Sequence, residues 1–496
     1  MDKILNDLIP GTKDWSCQFK LQRKKIAENN SYGFVSLYLS EYVLLYDKHL
    51  PMHNLYSSDG EMIGVLIGTV IDNENNLLVK DKITTEFELL DKDFYRKIES
   101  FVYKYCGSWV LIIDNQYYKR LYLDSAGTLS IVYDKGKEQI ASTTGLLLSD
   151  AEYNSRFKLD EHEFFDVHGS GWFSSGLTAH TGVSRLLCNH YLDLNTWDVN
   201  RAWPIFETDT YNKVDYSKKI IQLVRGCILT LIKNGRVVCS LTGGNETRYL
   251  LAACKPFVDQ IDFVTIDVPG SERDVYIAKK IAKRFGLNHK VLPYVKATEE
   301  ERGMWLYKAS HCIGGGNQYG SPSVRPLKKY DFFLVGLGGE VGRGFFWRKQ
   351  DNSASKIDAT DFIARIGLKV NDELLIKVKE WSASLPEFDT FTKLDLAYTE
   401  LRLSPWGFAQ SYAAQNINKV KQINPLVSRA IFESMLGLTA EERRASSWIT
   451  DGINSEWPEL LELPVNKYGN YRDFFSVFKK LKNISRVKTK LRKLGL

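Results

Sequence analysis

The feature that most constrains this fold is an alternation of short apolar runs with helical patterns between residues 216 and 337. Apolar residues recur at three- and four-residue steps from Ile220 to Ile232, which predicts an amphipathic helix. A Gly-rich turn and a second helix, from about Arg248, follow the first apolar run. Three runs are predicted strands: Val237–Cys239, Phe263–Ile266 and Phe332–Leu337. Strands that alternate with helices indicate a Rossmann-like α/β domain, with a parallel sheet covered by helices.

The first two hundred residues have a different pattern, dominated by β-branched and aromatic residues between turn signals. The predicted strands are Gly33–Tyr46, Met62–Asp72, Trp109–Asp114 and Tyr118–Asp124. This predicts an antiparallel, β-rich α+β unit. A chain of 496 residues is too long for one hydrophobic core. We therefore expect two domains, residues 1–206 and 207–496, with the boundary near Pro204, where the pattern changes.

Composition favours a cytoplasmic globular protein. Hydrophobic residues make up 44% and charged residues 25% of the chain, and no apolar run approaches the roughly 18 to 20 residues that span a bilayer. The acidic residues near the N-terminus argue against a signal peptide. Seven scattered cysteines without a CxxC pair argue against disulfides and structural zinc. We interpret His289, His311 and Cys312, which lack paired spacing, as core or hydrogen-bonding residues rather than metal ligands.

The net charge of +6 is concentrated at the end of the chain. Residues 479–496 contain eight Lys and Arg and no acidic residue, which leaves 58 basic against 60 acidic residues elsewhere. A nearly neutral body excludes a nucleic-acid binder of the usual basic kind. Apolar residues recur at helical spacing from Phe474 to Leu494, which predicts an amphipathic basic helix over 474–496. It would lie on an anionic surface at the inner membrane, bind an acidic protein, or pack on its own domain.

The segment Ser240–Arg248 follows the first predicted strand, where ligands bind in open parallel sheets. Gly243 and Gly244 let the backbone approach a ligand, and Thr242 and Thr247 add hydroxyl donors. The helix that follows presents its positive end to an anion. The segment therefore predicts a phosphate cradle, although a bare Thr-Gly-Gly is also typical of a plain turn. It is not a Walker loop, because no Gly-Lys-Ser/Thr follows.

This segment resembles the Ser-Gly-Gly-X-Asp-Ser loop of the N-type ATP pyrophosphatases, and its surroundings resemble the asparagine synthetase branch. Val268–Glu272 and Leu334–Glu340 are similar to the turns after that family's next strands. Gly107–Tyr133 is similar to its glutamine amidotransferase domain, and Asn189–Leu192 to the domain junction. The resemblance covers nearly the whole chain. It implies an N-terminal Ntn-hydrolase-like domain of antiparallel β layers, followed in the chain by an ATP pyrophosphatase-type domain.

The resemblance also implies roles for individual residues. Ser240, Thr242, Gly243, Gly244, Thr247 and Arg248 would hold the phosphates of ATP, with Arg248 equally plausible as an outward-facing helix arginine. Glu246 and Glu340 would position Mg²⁺. Arg343 would contact a phosphate or carboxylate or form a surface ion pair. Lys467 would assist the transition state, with an ordinary solvated lysine as the alternative.

Two departures from the family pattern bear on function. The family's glutaminase uses a cysteine directly after the initiator Met; this chain has Asp2 there, and its nearest cysteine is Cys17. We expect no glutaminase activity, because no competent N-terminal nucleophile is present. Glu246 and Thr247 replace the family's Asp and Ser with the same functional groups.

We therefore expect ATP-dependent amide formation from a small-molecule or peptide carboxylate, through an acyl-adenylate. The nitrogen would come from ammonia or a substrate amine. A cyclase resembling the β-lactam synthetases and lasso-peptide cyclases, amidation of a sugar acid, and a non-catalytic scaffold remain alternatives, and a homodimer remains open.

Overall fold

The computed structural model describes residues 8–26, 32–204, 215–410, 412 and 420–473. The strands are β1 Phe19–Arg23, β2 Val35–Tyr38, β3 Tyr42–Tyr46, β4 Met52–Tyr56, β5 Met62–Asp72, β6 Leu77–Leu78, β7 Ile83–Thr84, β8 Cys106–Asp114, β9 Lys119–Leu123, β10 Val132–Asp134, β11 Gln139–Ala141, β12 Ser184–Arg185, β13 His190–Asp193, β14 Val199–Arg201, β15 Val237–Ser240, β16 Ile261–Asp267, β17 His289–Pro293, β18 Phe332–Leu334 and β19 Lys421–Ile423.

The helices are α1 Phe94–Val102, α2 Thr144–Leu147, α3 Asp150–Arg156, α4 Leu159–Phe164, α5 Tyr216–Asn234, α6 Asn245–Cys254, α7 Glu272–Phe285, α8 Glu299–Lys308, α9 Asn317–Gly320, α10 Ala359–Ile366, α11 Asp372–Ala383, α12 Thr390–Ala397, α13 Arg429–Leu436, α14 Ala440–Ala445 and α15 Ser447–Glu456. A π-helical segment, Tyr398–Phe408, continues α12. Short 3₁₀ turns lie at Lys24–Ile26, Lys255–Gln260, Ser321–Lys329, Gly339–Arg343 and Pro458–Glu462.

Two sheets built almost entirely of antiparallel pairs stack face to face in the first two hundred residues. One has the order β12-β10-β11-β1-β3-β2 and the other β14-β13-β9-β8-β5-β4-β7, with β6 paired to β5. Strand alternation explains the layers: Val65 and Ile67 of β5 pack into the core between the sheets, whereas Leu66 and Val70 pack on the opposite side with α1. A further core that includes α2 covers the outer face of the first sheet.

The third sheet is parallel throughout, with the order β17-β16-β15-β18-β19. Helices α5, α6 and α15 contribute to its main core, and Val238, Val264 and Phe333 belong to a smaller core. From β15 the chain adds β16 and β17 on one side, then returns to place β18 and β19 on the other. The order therefore reverses between β15 and β18, which is where a crevice for a ligand forms at the carboxyl ends of the strands.

The predicted mixture of antiparallel β-rich and parallel α/β structure is confirmed. The predicted strand Phe332–Leu337 ends earlier, at Leu334, because the backbone turns at Leu337 and Gly338. Strands β17 and β19 were not predicted, since each is a short run without a clear alternation. The domain boundary at 206/207, Asp2 and the basic segment 474–496 lie outside the described residues. Within the described part of the chain, no helix is both long enough and apolar enough to cross a bilayer.

A buried ion pair connects the second antiparallel sheet to the helical region. Arg201 of β14 donates from both terminal nitrogens to the two carboxylate oxygens of Glu400, each at 2.8 Å. Trp381 and Asn189 donate to the same carboxylate at 2.6 Å and 3.0 Å. Burial favours the neutral acid, but the guanidinium of Arg201 outweighs it and lowers the pKa of Glu400.

Candidate functional site

The predicted phosphate cradle forms the turn between β15 and α6. The hydroxyls of Thr242 and Thr247 are 2.8 Å apart, and the backbone N–H of Gly244 donates to Thr242 Oγ1 at 3.2 Å. Helix α6 begins at Asn245, three residues earlier than predicted, and among the described residues no side chain caps it at Gly244. The first N–H groups of this helix are thus left for a ligand, with the positive end of the helix dipole behind them.

Two residues that were not predicted as site residues fix the loop. Asp274 Oδ1 accepts from the N–H of Gly243 at 2.9 Å, and the N–H of Asn466 donates to the carbonyl of Gly243 at 2.9 Å. Ser271 occupies the cap position of α7 without a capping bond. Its hydroxyl donates to the carbonyl of Val268 at 2.8 Å. Asp274 was identifiable only as an acid after the second strand.

A second loop, after β18, passes directly over the start of α6. A Cβ atom on Gly336 would lie 3.0 Å from Glu246 Cβ and 3.2 Å from the N of Thr247, so a larger residue would push against the start of α6. Gly338 has φ of +107°, a conformation that L residues rarely adopt. The turn Gly339–Arg343 then presents Glu340 and Arg343 to the first loop. These two loops flank the point where the strand order reverses.

Three predicted site residues meet where the loops touch. The guanidinium of Arg343 donates to the carboxylate of Glu246. Glu340 Oε2 accepts from the N–H of Gly338 at 3.2 Å. Burial, together with the nearby negative charge of Glu246, raises the pKa of Glu340 to about 7. Two carboxylates held this close favour a bound cation or proton between them.

Arg248 lies elsewhere than the sequence suggested. Its side chain is fully buried and donates to the carbonyls of Leu460, Leu463 and Pro464 at 3.0, 2.5 and 2.8 Å. The guanidinium therefore faces this C-terminal segment rather than a phosphate, because both of its terminal nitrogens donate to these carbonyls. Burial lowers the pKa of Arg248 to about 10. Arg248 thus anchors the segment that carries Asn466, which contacts the loop, and the exposed Lys467 beside it.

A cavity of about 700 Å³ opens beside these loops. Ser240, Glu246 and Thr247 form one part of its wall, and Ile266, Val268 and Pro269 after β16 continue it. The rest is lined by residues from the region 294–337 and from 406–422. Sequence analysis missed these walls because they come from separate segments without a common pattern. The volume is within the range of small-molecule sites.

The acid pair is compatible with Mg²⁺ only if a ligand completes the site. Among the described residues, no group of three or more His, Cys, Asp or Glu side chains is placed to hold a metal. Mg²⁺ is commonly held by one or two carboxylates with phosphate and water oxygens. Glu246 and Glu340 match that donor set, and their mutual repulsion is what a cation would relieve.

The other candidate nucleophiles and ligands have local partners. His289 Nε2 lies 2.8 Å from the hydroxyl of Thr265, His311 Nε2 lies 3.0 Å from the carbonyl of Leu8, and Cys312 donates to the carbonyl of Ser310 at 3.2 Å. Cys17 lines a separate cavity of about 340 Å³. Burial and the charge of Asp47 raise the pKa of its thiol, which disfavours the reactive thiolate.

No family model and no curated protein matches this sequence. Solved structures that resemble parts of the chain include two enzymes. The U34-tRNA thiolase NcsA from Methanococcus maripaludis, with its [4Fe-4S] cluster, is 15% identical, with 53% of this chain and 83% of that chain covered and a TM-score of 0.22. NMN synthetase from Francisella tularensis is 10% identical, with coverages of 49% and 93% and a TM-score of 0.18. Scores this low carry no function from either enzyme to this chain.

Proposed function

We propose that this protein is an ATP-dependent amide ligase that activates a carboxylate as an acyl-adenylate. The observation that carries the proposal is the meeting of two glycine-rich loops where the sheet order reverses. One loop offers the uncapped start of α6 and two hydroxyls, and the other offers an acid and an arginine. A helix start with hydroxyl donors and a nearby acid pair suits a magnesium polyphosphate better than a neutral ligand.

The reaction has two balanced steps. A carboxylate oxygen attacks the α-phosphorus of ATP, and the bond from that phosphorus to the bridging oxygen breaks, which releases pyrophosphate. An amine nitrogen then attacks the carbonyl carbon, loses a proton, and displaces AMP. The α6 loop would hold the departing pyrophosphate through Thr242, Gly244 and Thr247. Bound Mg²⁺ would neutralise the charge that develops on the phosphates.

The remaining site residues, Arg343 and Lys467, would interact with the charged phosphates. The ion pair with Glu246 keeps Arg343 in the site, where an incoming phosphate would compete for its donors. Lys467 would reach the reacting phosphate from the segment that Arg248 anchors. In the sequence, Arg343 and Lys467 look like ordinary surface residues. Their positions in the fold are what would give each of them a role.

The proposed architecture is that of an asparagine synthetase-like enzyme, with an amidotransferase-like domain over 1–206 and a synthetase-like domain over 207–496. Stacked antiparallel sheets ahead of a parallel sheet support this assignment. The half-buried Cys17, with its raised thiol pKa, gives no support for glutamine hydrolysis. The nitrogen would therefore be supplied as ammonia or as an amine of the substrate.

Calorimetric titration with α,β-methylene ATP, with and without Mg²⁺, tests the proposal without knowledge of the acceptor. The variant Gly244→Ala suits this test, because its new Cβ would meet Thr242 Oγ1, Glu246 Oε2 and Asn466 Oδ1 at 3.5 to 3.9 Å, which are ordinary contacts. The methyl group adds bulk among ligand-facing oxygens without displacing the backbone. Gly303→Ala in α8 is the matched control, since nothing lies within 4 Å of its Cβ.

We expect magnesium-dependent binding in the wild type and in Gly303→Ala, and binding weakened about tenfold or more in Gly244→Ala. Absence of binding at millimolar analogue would refute the ligase and favour a scaffold that retains the fold.

A further inference from the structure

The 700 Å³ cavity has two chemically different halves. The half beside the α6 loop contains Glu246, Thr247 and Ser240. The other half has a wall of five aromatic side chains: Tyr294, Trp305, Tyr319, Phe333 and Trp406. Aliphatic residues such as Val324 and Leu327 fill the spaces between them.

Charge is nearly absent from this cavity. Of the described residues that line it, Glu246 is the one with a charged side chain, and it belongs to the loop half. The polar groups of the aromatic half are neutral amides and hydroxyls. Asn317 donates to Gln410 Oε1 at 2.7 Å, and Gln410 donates to the carbonyl of Gly314 at 3.1 Å, so these amides pair with the protein itself.

A substrate with a second charge would be poorly matched to such a wall. Burying an unpaired carboxylate or ammonium costs several kcal/mol, whereas apolar surface gains about 25 cal/mol per Å². An amino-acid-like zwitterion or a dicarboxylate would therefore be disfavoured there.

We propose that the carboxylic acid activated by this protein carries a single charge and an uncharged, apolar or aromatic body that binds in the aromatic half. This inference rests on the proposed function and specifies its substrate class. The carboxylate would lie at the loop half, close to the α-phosphate, with the body extending along the half-buried Tyr294, Tyr319 and Trp406.

The test uses 3-phenylpropionate as the apolar probe and L-aspartate and succinate as the doubly functional probes. Each is titrated calorimetrically into the full chain, both free and saturated with α,β-methylene ATP and Mg²⁺. We expect 3-phenylpropionate to bind about tenfold or more tightly than either comparison acid, with its binding retained when the nucleotide is present. Tighter binding of aspartate or succinate, or no binding of 3-phenylpropionate at millimolar concentration, overturns the inference.

The variant Gly316→Leu locates the binding site. Gly316 lines this cavity with φ of −61°, and nothing lies within 4 Å of a Cβ placed there, so leucine fills space without straining the backbone. Gly303→Leu is the control, because Gly303 is equally open and lines a different cavity. We expect about tenfold weaker binding of 3-phenylpropionate in Gly316→Leu alone, with nucleotide binding unchanged.

The two proposals fail in distinguishable ways. If 3-phenylpropionate no longer binds once the nucleotide is added, the aromatic half is the adenine site. That result overturns the inference about the substrate and leaves the ligase proposal intact. A protein that binds no nucleotide refutes the ligase, and titration of the free protein then decides whether the aromatic half still selects an apolar acid.

Discussion

Glu246 and Arg343 form an ion pair between two loops that are 97 residues apart in the chain. The pair connects the start of α6 to the turn after β18, so each loop fixes the position of the other. Glu340 lies close enough to Glu246 for that carboxylate to contribute to its raised pKa of about 7. Glu246 and Glu340, whose negative charges would help to bind a magnesium phosphate, therefore repel each other when no ligand is bound.

This conflict predicts that Glu340→Gln stabilises the ligand-free fold. An acid whose pKa rises from about 4.5 to about 7 on folding costs stability wherever it is ionised, so the cost begins above pH 4.5 and is complete above pH 7. We expect a gain of about 3 kcal/mol at pH 8 and none at pH 4.5. Urea unfolding at both pH values measures it, with the exposed Glu441→Gln as the control. A variant that is less stable at pH 8 would contradict the assignment.

Removal of the buried guanidinium in Arg248→Met should destabilise the chain by about 3 kcal/mol or more, because three carbonyls lose a charged donor. It should also weaken nucleotide binding, since the Asn466 contact to Gly243 loses its anchor. Arg284→Gln is the matched control: Arg284 pairs with Glu462 of the same segment, but at the surface, and should cost less than about 1 kcal/mol. Equal effects of the two variants would argue against an anchoring role.

We expect the ion pair Arg201–Glu400 to couple the stability of the β-rich region strongly to that of the helical region. Arg201→Met leaves a buried carboxylate without its cation and should cost about 3 to 5 kcal/mol. Adding Glu400→Gln should recover part of that loss, because the neutral amide needs no counter-charge. Arg96→Met removes an exposed pair with Asp93 and should change stability by less than about 1 kcal/mol. Thermal unfolding of all four proteins completes the comparison.

We predict that the buried His162 makes the folded chain less stable in mild acid. Burial, with a smaller contribution from His311, lowers its pKa from 6.5 to about 2, so the unfolded chain binds a proton that the folded chain excludes. Stability is retained above pH 6.5 and falls as the pH decreases, by about 2 kcal/mol at pH 5 from this residue alone.

The variant His162→Phe should remove that contribution. The imidazole nitrogens have no partner among the described residues, and its ring already packs against Phe157, 5.2 Å away. Urea unfolding from pH 7.5 to pH 5 should show a flatter profile than the wild type. His49→Gln changes a side chain that is 69% exposed and should leave the profile unchanged. An identical slope in His162→Phe would refute the prediction.

The sequence predicted the parts of this site that depend on local pattern. The apolar run Val237–Cys239, two glycines and a helix are contiguous, so the α6 loop could be located without a structure. The direction of Arg248 could not be predicted, because it depends on how residues 460–464 pack more than 200 positions later. The role of Asp274 could not be predicted for the same reason: its partner, Gly243, becomes its neighbour only when β15 and β16 pair. The cavity walls formed by residues 294–337 and 406–422 could not be predicted either, because these segments share no periodicity.

The anchoring of residues 460–466 by Arg248 has a consequence for biosynthesis. The α6 loop emerges from the ribosome more than 200 residues before the segment that fixes Gly243 through Asn466. Until that segment has been translated, the buried guanidinium has none of its carbonyl partners and the loop lacks one of its two restraints. A nascent chain therefore gains the second restraint on Gly243 only after all five strands of the parallel sheet have been translated.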